Sequence, residues 1–153
     1  MFTEQLTQAL AVLGQLPAAN QAAATYNLGA STGNLTNGID MRAIRRLLAV
    51  FDIGVYGTNA NVQGYFQASA NLNMAGAVNV AAAIPLVANT NNRVETLEVR
   101  ADQLPAGTRY VSLQVVVNTA SVNLGVVLIG GESAYKPANQ FNTANVLDQA
   151  LVT

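Results

Sequence analysis

Apolar side chains recur at every second position through much of this chain, the period of strands with one face buried in a sheet. The clearest run is Arg109 to Asn118, where Val111, Leu113, Val115 and Val117 alternate with Ser112, Gln114 and Val116. Ser121 to Ile129 repeats the pattern with Val122, Leu124, Val126 and Leu128. The short Thr119-Ala120 link between these runs predicts an antiparallel hairpin. In Arg45 to Ile53, Leu47, Ala49, Phe51 and Ile53 share one face, and Arg46, Leu48, Val50 and Asp52 the other. Both faces are partly apolar, which predicts a central strand. Asn61 to Ser69 sets Val62, Gly64, Phe66 and Ala68 against Gln63, Tyr65 and Gln67. Arg93 to Ala101 turns Leu97 and Val99 inward, Glu98 and Arg100 outward. Val78 to Val87 is weakly patterned, and Pro85 confines it to an edge or a bulge.

Gly29, Gly33, Asn37-Gly38 and Gly57 punctuate these runs, Asn-Gly being a pair that tolerates the positive φ of tight turns. About seven short strands at this spacing predict an all-β fold, an antiparallel β-sandwich of the jelly-roll or immunoglobulin-like kind. The sandwich is expected over residues 25–131. Before it, Phe2, Leu6, Leu10 and Leu13 fit one face of a short helix over Phe2 to Leu16, with Thr3 as N-cap and Gly14 and Pro17 ending it. Ala18 to Ala24 then reads as a linker, so that residues 1–24 form an N-terminal arm. Residues 132–153 read as a C-terminal arm, extended over Glu132 to Asn142 and with a helical turn or two from Thr143 to Val152.

A domain of this length buries roughly two-thirds of its unfolded surface and can stand without staples. It must, because the 153 residues include no cysteine, hence no disulfide and no thiolate ligand or nucleophile. Histidine is absent too, which removes the commonest general base and metal ligand. Only 10% of residues are charged against roughly 25% in ordinary soluble domains, and the net charge is −1. Low charge is a property of surfaces covered in an assembly. A balanced charge lacks the basic stripe of a nucleic-acid binder. No apolar run approaches the ~20 residues that span a bilayer, and Met1-Phe2-Thr3-Glu4 has no positive n-region of a secretory signal.

Catalytic equipment is reduced to carboxylates. Glu95 and Glu98 fall on opposite faces of their strand and cannot flank one substrate. Asp52 ends a strand and Asp102 sits in a loop, each without a partner in sequence. No loop carries the Asp-x-Asx-x-Asx spacing of a calcium site, and no Gly-x-x-x-x-Gly-Lys phosphate loop occurs. The expectation is a protein that is not an enzyme and holds no metal or cofactor. Arg42, Arg45 and Arg46 form the one basic cluster, an anion or nucleic-acid contact, a tie to an acidic partner surface or, more simply, pairs with Asp40, Asp52 or Glu98. Tyr56 and Tyr65, with Tyr110, read either as a weak sugar platform or as aromatics at a sheet edge or protein interface. The candidate interface residues are therefore Phe2, Leu6, Leu10, Leu13, Arg42, Arg45, Tyr56 and Tyr65, with Tyr135 and Phe141 in the C-terminal arm.

Several segments carry a family resemblance: Asp40-Met41, Arg46-Leu47-Leu48-Ala49-Val50, Gly54, and the strand Val62 to Gln67. Glu98-Val99-Arg100-Ala101-Asp102-Gln103-Leu104 ahead of Arg109-Tyr110-Val111, and Val126 to Gly131 ahead of Tyr135-Lys136-Pro137, continue it. Together, over about Thr25 to Pro137, the chain resembles small proteins encoded among the head genes of tailed bacteriophages. The resemblance implies a virion component assembled in the host cytoplasm, most simply a decoration (cement) protein. Such proteins sit on the capsid lattice, often as homotrimers with sandwich or jelly-roll cores, and brace the shell against DNA pressure. The implied partners are the major capsid protein and further copies of this chain, with no nucleic acid and no membrane. Relatives carry more charge in the second strand, where this chain has Gln63-Gly64-Tyr65-Phe66. The alternatives are a head–tail connector, tail or fibre component, or a carbohydrate-binding module or minimal glycosidase using Asp102 or Glu98.

Overall fold

The computed structural model describes residues 6–32, 35–84, 91–134 and 138–141. It is an all-β sandwich of two antiparallel sheets. The strands are β1 (Leu10–Gln21), β2 (Ala24–Leu28), β3 (Ala30–Thr32), β4 (Leu35–Asn37), β5 (Ile39–Asp40) and β6 (Ile44–Tyr56). They continue as β7 (Asn61–Ser69), β8 (Val78–Ile84), β9 (Arg93–Arg100), β10 (Tyr110–Asn118) and β11 (Val122–Ser133). One sheet has the order β1-β11-β6-β9, the other β2-β10-β7-β8 with β5 pairing beside β10, and β3-β4 form a separate ribbon. Counting β1, β2, β6, β7, β8, β9, β10 and β11 as the eight main strands, the first pairs with the last, and each strand inward with its counterpart from the other end.

The alternation places the core as expected. Leu47, Ala49, Phe51 and Ile53 of β6 face Val62, Phe66 and Ala68 of β7 and Val111, Leu113, Val115 and Val117 of β10 in one buried cluster. Val122, Leu124, Val126 and Leu128 of β11 and Leu97 and Val99 of β9 join it. Two inward glycines make room for large neighbours. A Cβ on Gly64 would lie 2.4 Å from Phe51 Cζ, and one on Gly130 would lie 2.5 Å from Leu13 Cδ1.

Three expectations are corrected. The segment Phe2 to Leu16 is not one helix: among its described residues helix covers Leu6–Ala9, and Leu10 onward is a strand of the sandwich. Ala9-Leu10-Ala11-Val12-Leu13 is apolar at every position and fits either period, so pairing with β11 decides it. Ala18 to Gln21 is consequently no linker, and the sandwich begins well before residue 25. Pro17 is tolerated because β1 is an edge strand whose register shifts between Leu16 and Ala19. Second, β10 and β11 are not a hairpin. Thr119, at φ 70, turns the chain from one sheet to the other, and the apolar faces of the two strands meet across the core. Third, Asn37-Gly38 is not a positive-φ turn. Gly38 is demanded by close packing, because a Cβ there would lie 2.5 Å from Met74 Sδ and 2.6 Å from Tyr110 Cβ.

At the C-terminal end, β11 runs through Ser133, and a 3₁₀ turn at Ala138–Phe141 packs on the sandwich with Ala138 fully buried. Gly33, Pro85 and the helical turns expected from Thr143 to Val152 lie outside the described residues.

Candidate interaction surface

The two outer faces of the sandwich differ in chemistry. On the β1-β11-β6-β9 sheet, cross-strand rows run Val12–Ile129–Leu48–Glu98 and Gln15–Val127–Val50–Thr96. A third row sets Gly125, Asp52 and Val94 side by side. The middle of this face is aliphatic, with Val94 65%, Val127 38% and Leu10 37% exposed. Leu48, Val50 and Ile129 are half-buried. A shallow apolar depression of about 210 Å³ opens between Leu10, Leu48 and Ile129, with Arg46 and Glu98 at its rim. No described element of the chain covers this face.

Charges gather at one end of it. Arg46 pairs with Glu132 at 2.8 Å and with Glu98 at 3.7 Å. Arg100, directly across from Arg46, forks onto Asp102 and holds that carboxyl below its ordinary pKa. Arg45 shares a cleft with this group, in which the arginines are balanced by Asp102, Glu132 and Glu98. The expected Arg46–Glu98 tie is present. Asp40, however, is taken by Arg109, whose guanidinium holds the carboxyl below the usual range. Arg42 and Arg45 are exposed and form no ion pair among the described residues.

The outer face of β2-β10-β7-β8 is uncharged and polar. Its rows are Asn27–Gln114–Tyr65, Ser112–Gln67–Asn79 and Thr25–Val116–Gln63. Tyr65 donates its hydroxyl to Gln114 Oε1, Gln114 Nε2 donates to Asn27 Oδ1 at 3.1 Å, and Gln67 Nε2 donates to Asn79 Oδ1 at 3.1 Å. Hydrogen bonds along and across strands knit this face together.

The sequence-predicted residues are not one patch. Leu6 is exposed and Leu10 sits at the edge of the aliphatic face, but Leu13 is 4% exposed inside the core and presents no surface. Phe141 is half-buried against the same core. Tyr56 and Tyr65 lie on different sheets, so they form no joint platform. A shift in the β6–β11 register turns Tyr56 toward the core, where Arg93 Nη2 donates to its hydroxyl at 3.4 Å. Phe2 and Tyr135 lie outside the described residues. Leu48, Val50, Val127 and Ile129 were not singled out. Their signal is the apolar second face of Arg45 to Ile53, which in sequence reads as burial in a central strand.

Asp40, Glu95, Glu98, Asp102 and Glu132 are each paired with an arginine, whereas Asp52 is exposed on the outer face of β6. Glu95 bonds Arg93 at 2.9 Å on the inner side of β9, whereas Glu98 points outward, the opposition the alternation predicts. Among the described residues no three His, Cys, Asp or Glu side chains gather as metal ligands would. No protein family, curated protein or solved structure matches the chain.

Proposed function

We propose that this chain is a non-catalytic structural protein of a virion, a decoration protein that binds and stabilises the lattice of a major capsid protein. The carrying observation is the aliphatic face of the β1-β11-β6-β9 sheet, which no described element covers, formed by Val12, Leu48, Val50, Val94, Val127 and Ile129. Contiguous exposed apolar surface on a low-charge chain marks a protein-binding face rather than a solvated one. A flat aliphatic sheet offers shape and dispersion contacts of modest individual strength. Repetition around a symmetric shell, with copies joined as trimers, turns them into tight attachment. The nested strand pairing reads as a jelly roll, an architecture used by viral capsid domains and lectins. The resemblance to phage head-gene proteins points the same way.

Mass spectrometry of purified particles tests the reading by measuring this chain's stoichiometry against the major shell protein. A fixed ratio set by the lattice is expected. Val50→Asp, which leaves the core untouched, should abolish incorporation while the free protein melts as before. Particles devoid of the chain, or its density at the neck or tail, would remove the proposal.

A further inference from the structure

The polar face carries a second site that the docking face does not explain. A cleft of about 210 Å³ opens on the β2-β10-β7-β8 sheet, lined by Asn27, Gln67, Asn73, Met74, Ser112 and Gln114. At roughly 30 Å³ per liquid water, it holds about seven water molecules, the scale of one sugar ring. Ser112 lines the cleft although only 3% exposed. A hydroxyl on the lining of a cleft offers one donor and two acceptor sites to whatever fills it.

The surrounding amides are held in place. Gln114 is fixed between Tyr65 and Asn27, and Gln67 is anchored to Asn79, which leaves further donors and acceptors on each amide. The wall from Asn71 to Ala77 is equally constrained. Asn73 Oδ1 accepts from the Ala75 N–H at 3.1 Å, and the Ser69 hydroxyl, itself buried, donates to the Ala75 carbonyl at 2.6 Å. Gly38 N–H donates to the Leu72 carbonyl at 2.7 Å, tying the same loop to the end of β4.

Among the described residues no charged side chain lines the cleft, so neither phosphate nor carboxylate finds a counter-ion there. Hydroxyl groups, each both donor and acceptor, match the carboxamides of Asn27, Gln67, Asn73 and Gln114. We propose that this cleft binds one pyranose unit of a neutral saccharide. The proposal is independent of the docking role of the opposite sheet.

Saturation-transfer NMR on the full chain tests it with maltohexaose, cellohexaose and mannohexaose, and with hexagalacturonate as an anionic comparator. Saturation of at least one neutral hexaose is expected, insensitive to salt. Ser112→Ala and Gln114→Ala should each weaken it by about tenfold, the loss of one or two net hydrogen bonds. Val55→Ser, on an exposed position far along the other sheet, should leave it unchanged. Far-UV circular dichroism checks that each variant folds, and Ser112→Ala alone suffices if Gln114→Ala does not. The proposal is overturned by silence from all three neutral sugars, by binding of hexagalacturonate alone, or by full affinity in the folded cleft variants.

Discussion

Gly64 occupies an inward position of β7, and the Phe51 ring fills the space where its side chain would be. Phe51 is fully buried and cannot swing into solvent, so a methyl group at residue 64 forces backbone or ring displacement. Gly64→Ala is expected to cost about 1–3 kcal/mol in chemical denaturation, with partial recovery in the Gly64→Ala/Phe51→Leu double variant. A neutral Gly64→Ala would disprove the contact. In the same sheet, where β5 joins β10, Asp40 accepts from Arg109 Nε at 2.8 Å and from the Arg42 N–H at 3.0 Å. Its folded pKa lies below the 3.8 of a free carboxyl, chiefly through the Arg109 hydrogen bonds. The stabilisation is therefore complete above pH 3.8 and is lost as pH falls from there through the lower folded value. Asp40→Asn should cost about 1 kcal/mol at neutral pH, and the gap to wild type should close in acid. Denaturant midpoints measured across pH check this, and a gap that does not change with pH would refute it.

At the scale of elements, β1 carries the largest departure from sequence expectation. Leu10 to Leu13 suits a helix or a strand equally well, and the unpaired edge of β11 turns it into a strand by offering a continuous ladder. Leu13 then enters the core beside Gly130, while Leu6, in the short helix, remains 74% exposed. Leu13→Ala is expected to destabilise by about 2–5 kcal/mol, and Leu6→Ala by no more than about 0.5 kcal/mol. Equal, small effects in thermal or denaturant unfolding would mean that β1 is a detachable arm. Thr119-Ala120 makes a related point. A short link between two alternating runs has the same pattern whether the second run pairs beside the first or crosses to face it. Here burial of Val117 and Val122 on both sides of the link accompanies the crossing.

For the whole molecule, the sandwich puts two unlike surfaces back to back: aliphatic on β1-β11-β6-β9, amide-rich and uncharged on β2-β10-β7-β8. A decoration protein held by the first face should resist salt, because apolar contacts do not weaken as ions screen charge. The rim pairs of Arg46 and Arg100 are half-exposed and contribute little. The particle-bound fraction, measured by sedimentation, is expected to stay constant as salt is raised. Release by salt would shift the docking role to Arg42 and Arg45.

The period-two pattern by itself determined that the chain is an all-β sandwich and which side chains of β6, β7, β9, β10 and β11 point inward, because alternation translates directly into faces. It also showed that Glu95 and Glu98 oppose each other. Strand partners, by contrast, were decided by tertiary structure: the joining of β1 to β11, the crossing after β10, and the separation of Tyr56 from Tyr65. So was the placing of half-buried Leu48 and Val50 on an outer face, since an apolar residue has the same signature in sequence whether or not another layer covers it. The amide cleft is likewise assembled from β2, β7, β10 and the loop after β7, which are far apart in the chain and meet only because non-local hydrogen bonding brings them side by side.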